Sequence, residues 1–169
     1  MKIRQEQSAD YAEIYDLVKN AFATAEVSDG DEQDYVNDLR KSDKYIPELA
    51  LVAEENDTLI GHIMLTSTQI KCGEKIFTEL LLSPLCVELS HRKTGVGAAL
   101  VCESFRLAKE MGYLAVFVVG DPKYYTRFGF KCAVGFGIIN EGDIPAQFVM
   151  AHELTADALK DKQGFVKIV

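Results

Sequence analysis

Arg92-Lys-Thr-Gly-Val-Gly-Ala98 sets two cations beside two glycines, directly after an apolar run from Leu80 to Val87. The run predicts a strand, and Val96, Leu100, Leu107, Ala108 and Met111 predict one face of the helix that follows. A helix N-terminus has amides without intrahelical partners and the positive end of the macrodipole. Glycines let an anion reach those amides, and Arg92 and Lys93 add charge beside them. Lys93, Thr94, Gly95, Val96, Gly97 and Ala98 therefore form a candidate diphosphate cradle, which points to a nucleotide-containing ligand.

Other residues carry candidate acid–base chemistry. Tyr124 and Tyr125 follow Asp121-Pro122, a start signal for a short helix, and adjacent helical side chains point about 100° apart. Glu79 precedes the apolar run, and Glu32 lies in an acidic stretch from Glu26 to Asp43 that reads either as a solvated helix or as a lip for a cationic substrate. Cys86 lies within the strand, but no Cys–His–Asn arrangement accompanies it, so its backbone is the better candidate for contact. His91 either touches phosphate or is solvated.

Positioning these groups requires several elements. Ile14, Leu17, Val18, Ala21 and Phe22 form a helical stripe after Ser8, an N-cap candidate. Tyr35, Val36 and Leu39 mark a second helix. Glu55-Asn-Asp57 and Cys72-Gly-Glu74 predict tight turns between antiparallel strands, with Gly61 a candidate bulge. Leu114 to Val119 reads as a strand buried on both faces, so Leu80 to Val119 is a β-α-β unit. Phe128 to Ile139, Gln147 to Glu153 and Gly164 to Val169 read as three more strands.

A dinucleotide fold fits poorly. Leu100 stands where a third glycine belongs, about half the chain precedes the turn, and only 48 residues follow Asp121. A net charge of −8 argues against a nucleic-acid partner. No apolar run approaches the ~20 residues of a membrane span, and Met1-Lys-Ile-Arg-Gln-Glu6 lacks a secretory core, so a cytoplasmic protein is expected. Cys72, Cys86, Cys102 and Cys132 are widely spaced and His62, His91 and His152 scattered; buried free thiols are expected, and no metal site.

Arg92-x-x-Gly95-x-Gly97-Ala98 resembles the acetyl-CoA pyrophosphate motif of the GNAT superfamily of N-acetyltransferases. Leu85-Cys86-Val87 is similar to the end of that family's central splayed strand, and Tyr125-Thr-Arg-Phe-Gly-Phe130 to its Tyr-x-x-x-Gly-Phe element. Gly120 to Phe130, Asp31 to Arg40 and Phe148 to Leu154 resemble the small YhbS-like subgroup. The resemblance covers essentially the whole chain. It implies one GNAT domain over residues 1–169, of class α/β (α+β in stricter terms). The implied sheet is mixed and mostly antiparallel, with about seven strands and helices on both faces.

The resemblance further implies acetyl-CoA as co-substrate. Its pantetheine arm would pair with the backbone of Leu85, Cys86 and Val87, whose amides could serve as an oxyanion hole. It also implies direct attack by a primary amine, with Tyr125, or its neighbour Tyr124, as acid to the leaving thiolate. A lysine-like amine of pKa ~10.4 pays about 4.6 kcal/mol to become neutral at pH 7, against about 1 for an α-amine. Glu79 and Glu32 are the carboxylates on offer, Glu79 as a catalytic base and Glu32 as a substrate contact. The acceptor, small molecule or peptide, stays open, as does a homodimer. A non-catalytic acyl-CoA-binding domain is the alternative.

Overall fold

Two tight turns set the first half of the architecture. Asn56 (φ 51°) and Asp57 (φ 59°) both adopt left-handed backbone. That two-residue loop joins β2 (Tyr45–Glu55) to β3 (Thr58–Cys72) with the hand that suits strand twist. Gly73, at φ 58°, turns β3 into β4 (Lys75–Val87). The computed structural model describes residues 1–24 and 28–168, so Glu26 of the acidic stretch lies outside the described residues.

The chain forms two compact units, Met1–Thr66 with Pro84–Leu107, and Ser67–Ser83 with Ala108–Val169. Both β3 and β4 run through the boundary. In the first unit β1 (Lys2–Gln5) pairs antiparallel with β2, and β2 with β3. Helices α1 (Tyr11–Phe22) and α2 (Glu32–Lys41) cover one face of these strands. Ile14, Leu17, Val18 and Ala21 of α1 and Val36 and Leu39 of α2 pack there with Ala50, Val52, Leu59 and Met64. Ser8 opens a 3-10 turn rather than α1 itself, and Asp10 accepts a hydrogen bond from the Gln7 amide. Tyr35 faces outward; Gln33 joins Val36 and Leu39 on the buried side, at the i, i+3, i+6 spacing of one helical face.

Helix α3 (Val96–Glu110) covers the opposite face. A Cβ on Gly61 would lie 2.9 Å from both Leu100 and Val96, so the glycine permits a close helix–strand approach. It also sits beside the irregularity expected of it, since the β2–β3 register slips between Ala53/Gly61 and Glu54/Leu59. The buried face of α3 holds Val96, Leu100, Val101, Ser104 and Ala108, whereas Met111 is exposed. Met111 falls beyond the last turn, where Gly112 (φ 90°) ends the helix and Tyr113 N–H bonds to the Ala108 carbonyl.

In the second unit β4 pairs parallel with β5 (Ala115–Val119), from Leu80↔Val116 to Leu82↔Val118. β8 (Val149–Glu153) pairs antiparallel with β5 and with β6 (Lys131–Cys132). β9 (Gly164–Val166) pairs antiparallel with β3 and parallel with β7 (Ile138–Asn140). The strand expected from Phe128 to Ile139 is broken into β6, a 3-10 turn and β7, because Gly129 and Gly137 turn left-handed at φ 85° and 73°. Nine strands therefore stand among the described residues where about seven were expected. Pairing is mixed and mostly antiparallel, as expected.

Candidate active site

The turn between β4 and α3 is built from unusual backbone. Lys93 takes φ 64° and Gly95 φ 96°, both left-handed, and Gly95 accepts the first helical hydrogen bond from Ala99 N–H. Thr94 Oγ1 donates to the His91 carbonyl at 2.6 Å and tightens the curl. Arg92 to Gly95 and Ala98 are exposed, whereas Val96 and Gly97 face the interior. The turn from Arg92 to Gly95 is thus exposed where it leads into the first turn of α3, whose amides lack intrahelical partners.

Upstream, alternation along β4 turns Cys86 into the α1–α2 core and leaves Leu85 and Val87 half-buried on the other side. Burial pushes the Cys86 thiol up to about 12, so it is a protonated core group. The four cysteines are free, but only Cys86 is buried; Cys102 is exposed and Cys72 and Cys132 are intermediate, which corrects the expectation of four buried thiols. After Val87, Glu88 N–H bonds to the Ile60 carbonyl at the bulge. The Glu88 carboxylate receives Ser90 N–H at 2.8 Å and lies 2.8 Å from His91 Nδ1. The Ser90 hydroxyl and His91 hold it down to about 2. His91 is thereby oriented by Glu88, a role that neither sequence alternative contained.

Arg92 reaches from this turn to the first helix. Its guanidinium donates to the Ala21 carbonyl at 2.7 Å and to Thr24 Oγ1 at 3.1 Å, at the C-terminal end of α1.

Glu32 opens α2. Its Oε1 accepts from Asp29 N–H at 3.1 Å, while Oε2 is shielded from solvent without a hydrogen-bond partner among the described residues. Burial opposes its ionisation, but hydrogen bonds from Ser28 and neighbouring amides prevail and hold its pKa below the ordinary value.

In the second unit Asp121 caps α4 (Pro122–Tyr125) by accepting Lys123 N–H at 2.9 Å, with proline at the first turn. Gly120 lets the Tyr125 ring lie against the backbone, since a Cβ there would sit 2.2 Å from Tyr125 Cε2. Gly129 reverses the chain so that Phe130, fully buried, meets Tyr125 edge-on at 5.6 Å between ring centroids. The Tyr-x-x-x-Gly-Phe spacing is thus a ring-locking device. Burial raises the Tyr125 phenol well above the ordinary tyrosine range. Tyr124 packs edge-on against Tyr125 at 5.0 Å and carries Arg127 over its ring at 4.5 Å; burial raises its pKa and Arg127 opposes the rise.

Glu79 lies on β4. Its Oε2 accepts from Leu114 and Ala115 N–H at 2.9 and 3.0 Å, and its Oε1 from Lys162 Nζ at 2.7 Å. The carboxylate anchors the start of β5 and neutralises a buried lysine.

The family model described as "Acetyltransferase (GNAT) domain" matches residues 2–133. The chain belongs to the GNAT N-acetyltransferase family. It is 32% identical over 168 residues to an uncharacterized N-acetyltransferase, YhbS, of Escherichia coli (strain K12), covering 99% of this chain and 95% of the relative. The solved structure of Escherichia coli YhbS in complex with CoA superposes with TM-score 0.88 at 27% identity, over 99% of this chain and 89% of that one. A GNAT acetyltransferase from Brucella melitensis in complex with acetyl-CoA gives 0.79 at 27% identity, over 99% and 95%. Among the described residues no helix is long and apolar enough to cross a membrane, and no group of three or more His, Cys, Asp or Glu is placed to hold a metal ion.

Proposed function

We propose that this chain transfers the acetyl group of acetyl-CoA to a primary amine, as a cytoplasmic enzyme with one GNAT domain over residues 1–169. The exposed turn with left-handed Lys93 and Gly95 at the start of α3 carries the reading. The amides of residues 93–98 receive the diphosphate, with Lys93 supplying charge. The Arg92 side chain is left out of that contact because α1 holds it. The pantetheine arm pairs with the backbone at Leu85, Cys86 and Val87, and amides there polarise the thioester carbonyl. The bound CoA and acetyl-CoA in the two relatives support this substrate.

The neutral amine nitrogen attacks the thioester carbon and the C–N bond forms, the C–S bond breaks with its electron pair leaving on sulfur, and the proton lost by nitrogen passes to solvent water. Tyr125 is the assigned donor to that sulfur, and its ring lock and protonated phenol suit the role. A phenol of raised pKa holds its proton well, so donation is a strong hydrogen bond to the thiolate before it is a full transfer. Glu32 is the assigned substrate contact: its shielded Oε2, without a hydrogen-bond partner among the described residues, suits a cationic amine. Glu79 is assigned an anchoring role instead of a base, because three donors occupy its oxygens.

That occupied carboxylate also favours the second reading, an acyl-CoA-binding domain without turnover. A library of amines with acetyl-CoA, followed by free thiol release, separates the two. Release with at least one amine supports the transferase, and coenzyme A binding with no release supports the binding domain.

A further inference from the structure

The guanidinium of Arg92 is a bridge. Nη2 donates to the Ala21 carbonyl at 2.7 Å and Nη1 to Thr24 Oγ1 at 3.1 Å, while Nε reaches the Val87 carbonyl at 3.4 Å. Thr24 Oγ1 itself donates to Ala21 at 3.2 Å, which closes the contact. The last carbonyls of a helix lack intrahelical donors and sit at its negative pole, so a cation there is favoured. A planar guanidinium serves several such acceptors at once, which a lysine cannot do. One side chain therefore joins the end of α1, the exit of β4 and the turn that opens α3. From α1 the chain continues to Ser28–Glu32.

We propose that Arg92 is a positioning residue that ties the last turn of α1 to the diphosphate turn, so that coenzyme A bound at the turn steadies the end of α1. This rests on the reading of residues 93–98 as the diphosphate cradle. The backbone at Arg92 and Lys93 has to settle when an anion binds, and the guanidinium passes that settling on to Ala21 and Thr24. Coupling is reciprocal, so whatever fixes the end of α1 also favours the filled turn.

The test uses the full chain with coenzyme A, in wild-type, Arg92→Met, Arg92→Lys and Thr24→Val forms. Amide exchange is read in residues 19–24 with and without coenzyme A, and affinity by calorimetry at two salt concentrations. In the wild type, coenzyme A should slow exchange there by at least about fivefold, the low end of ordinary coupling. Arg92→Met should abolish that ligand-dependent slowing while affinity falls less than tenfold, and Arg92→Lys should recover only part of it. Thr24→Val, which leaves the turn untouched, should also weaken the slowing. Slowing that survives in both Arg92→Met and Thr24→Val overturns the proposal. A loss of affinity beyond tenfold with a flattened salt dependence in Arg92→Met also overturns it, since Arg92 would then touch phosphate directly. Absence of coenzyme A binding to the wild type overturns both this proposal and the cradle, and the wild-type titration alone identifies that case.

Discussion

Glu6 Oε2 and His62 Nε2 lie 3.0 Å apart with both side chains sealed from solvent. Arg40 donates twice to the same carboxylate at 2.8 Å, and Tyr45 OH once at 2.9 Å. The cluster ties the residue that follows β1 to α2, β2 and β3.

Burial alone would raise the Glu6 pKa, but Arg40 and His62 prevail and hold it at about 2 against an ordinary 4.5. Burial pushes the His62 pKa down, with Glu6 opposing. Both shifts mean that the unfolded chain binds more protons, so stability must fall with acid. The His62 share fades below its unfolded value near 6.5. The Glu6 share fades from about 4.5 toward 2. Urea denaturation at pH 7, 5.5 and 4 should show the loss, and Glu6→Gln should flatten the lower part of the curve. Equal stability at pH 7 and 4 contradicts this account.

Glu79→Gln should lower stability by roughly 3–5 kcal/mol, because it strands the Lys162 ammonium. The shape of the pH–rate profile should not change. A loss of turnover beyond a hundredfold with stability intact would instead restore Glu79 as the base.

Gly95→Val should remove detectable coenzyme A binding. A Cβ at Gly95 meets nothing within 4 Å, so crowding inside the fold is not the cause. A β-branched residue resists φ 96° by about 1–3 kcal/mol and covers the amides that the diphosphate needs. Calorimetry that returns the wild-type affinity would reject the cradle.

Tyr125→Phe should reduce kcat about a hundredfold or more and change acetyl-CoA affinity less than about threefold. Tyr124→Phe should cost less than about threefold in kcat. Because burial raises the Tyr125 phenol, this group should give the rate no descending limb below pH 10. Equal turnover of the wild type and Tyr125→Phe would remove the acid role.

Iodoacetamide at pH 8 should label exposed Cys102 well before Cys86, whose thiol is buried and raised to about 12. Mass spectrometry of the native protein reads the order directly. Early labelling of Cys86 would show that β4 opens there.

Local rules made much of the molecule legible from sequence. Asn56-Asp57 turned as a two-residue hairpin because short polar side chains tolerate left-handed backbone. Gly95-x-Gly97 opened α3 and Asp121-Pro122 started α4, each through chemistry confined to one turn of chain. The family resemblance rested on the same local signals, and the matching family model supports it.

Charged side chains were decided by distance across the chain. Arg92 reaches 71 residues back to Ala21, Lys162 reaches 83 residues to Glu79, and His62 meets Glu6 across 56. Each buried charge or helix end needs a partner, yet any of several ions of suitable sign could supply it. Spacing along the chain therefore fixed where backbone turns and helices begin, whereas only the packed strands and helices selected which carboxylate, carbonyl or amide each long side chain would find.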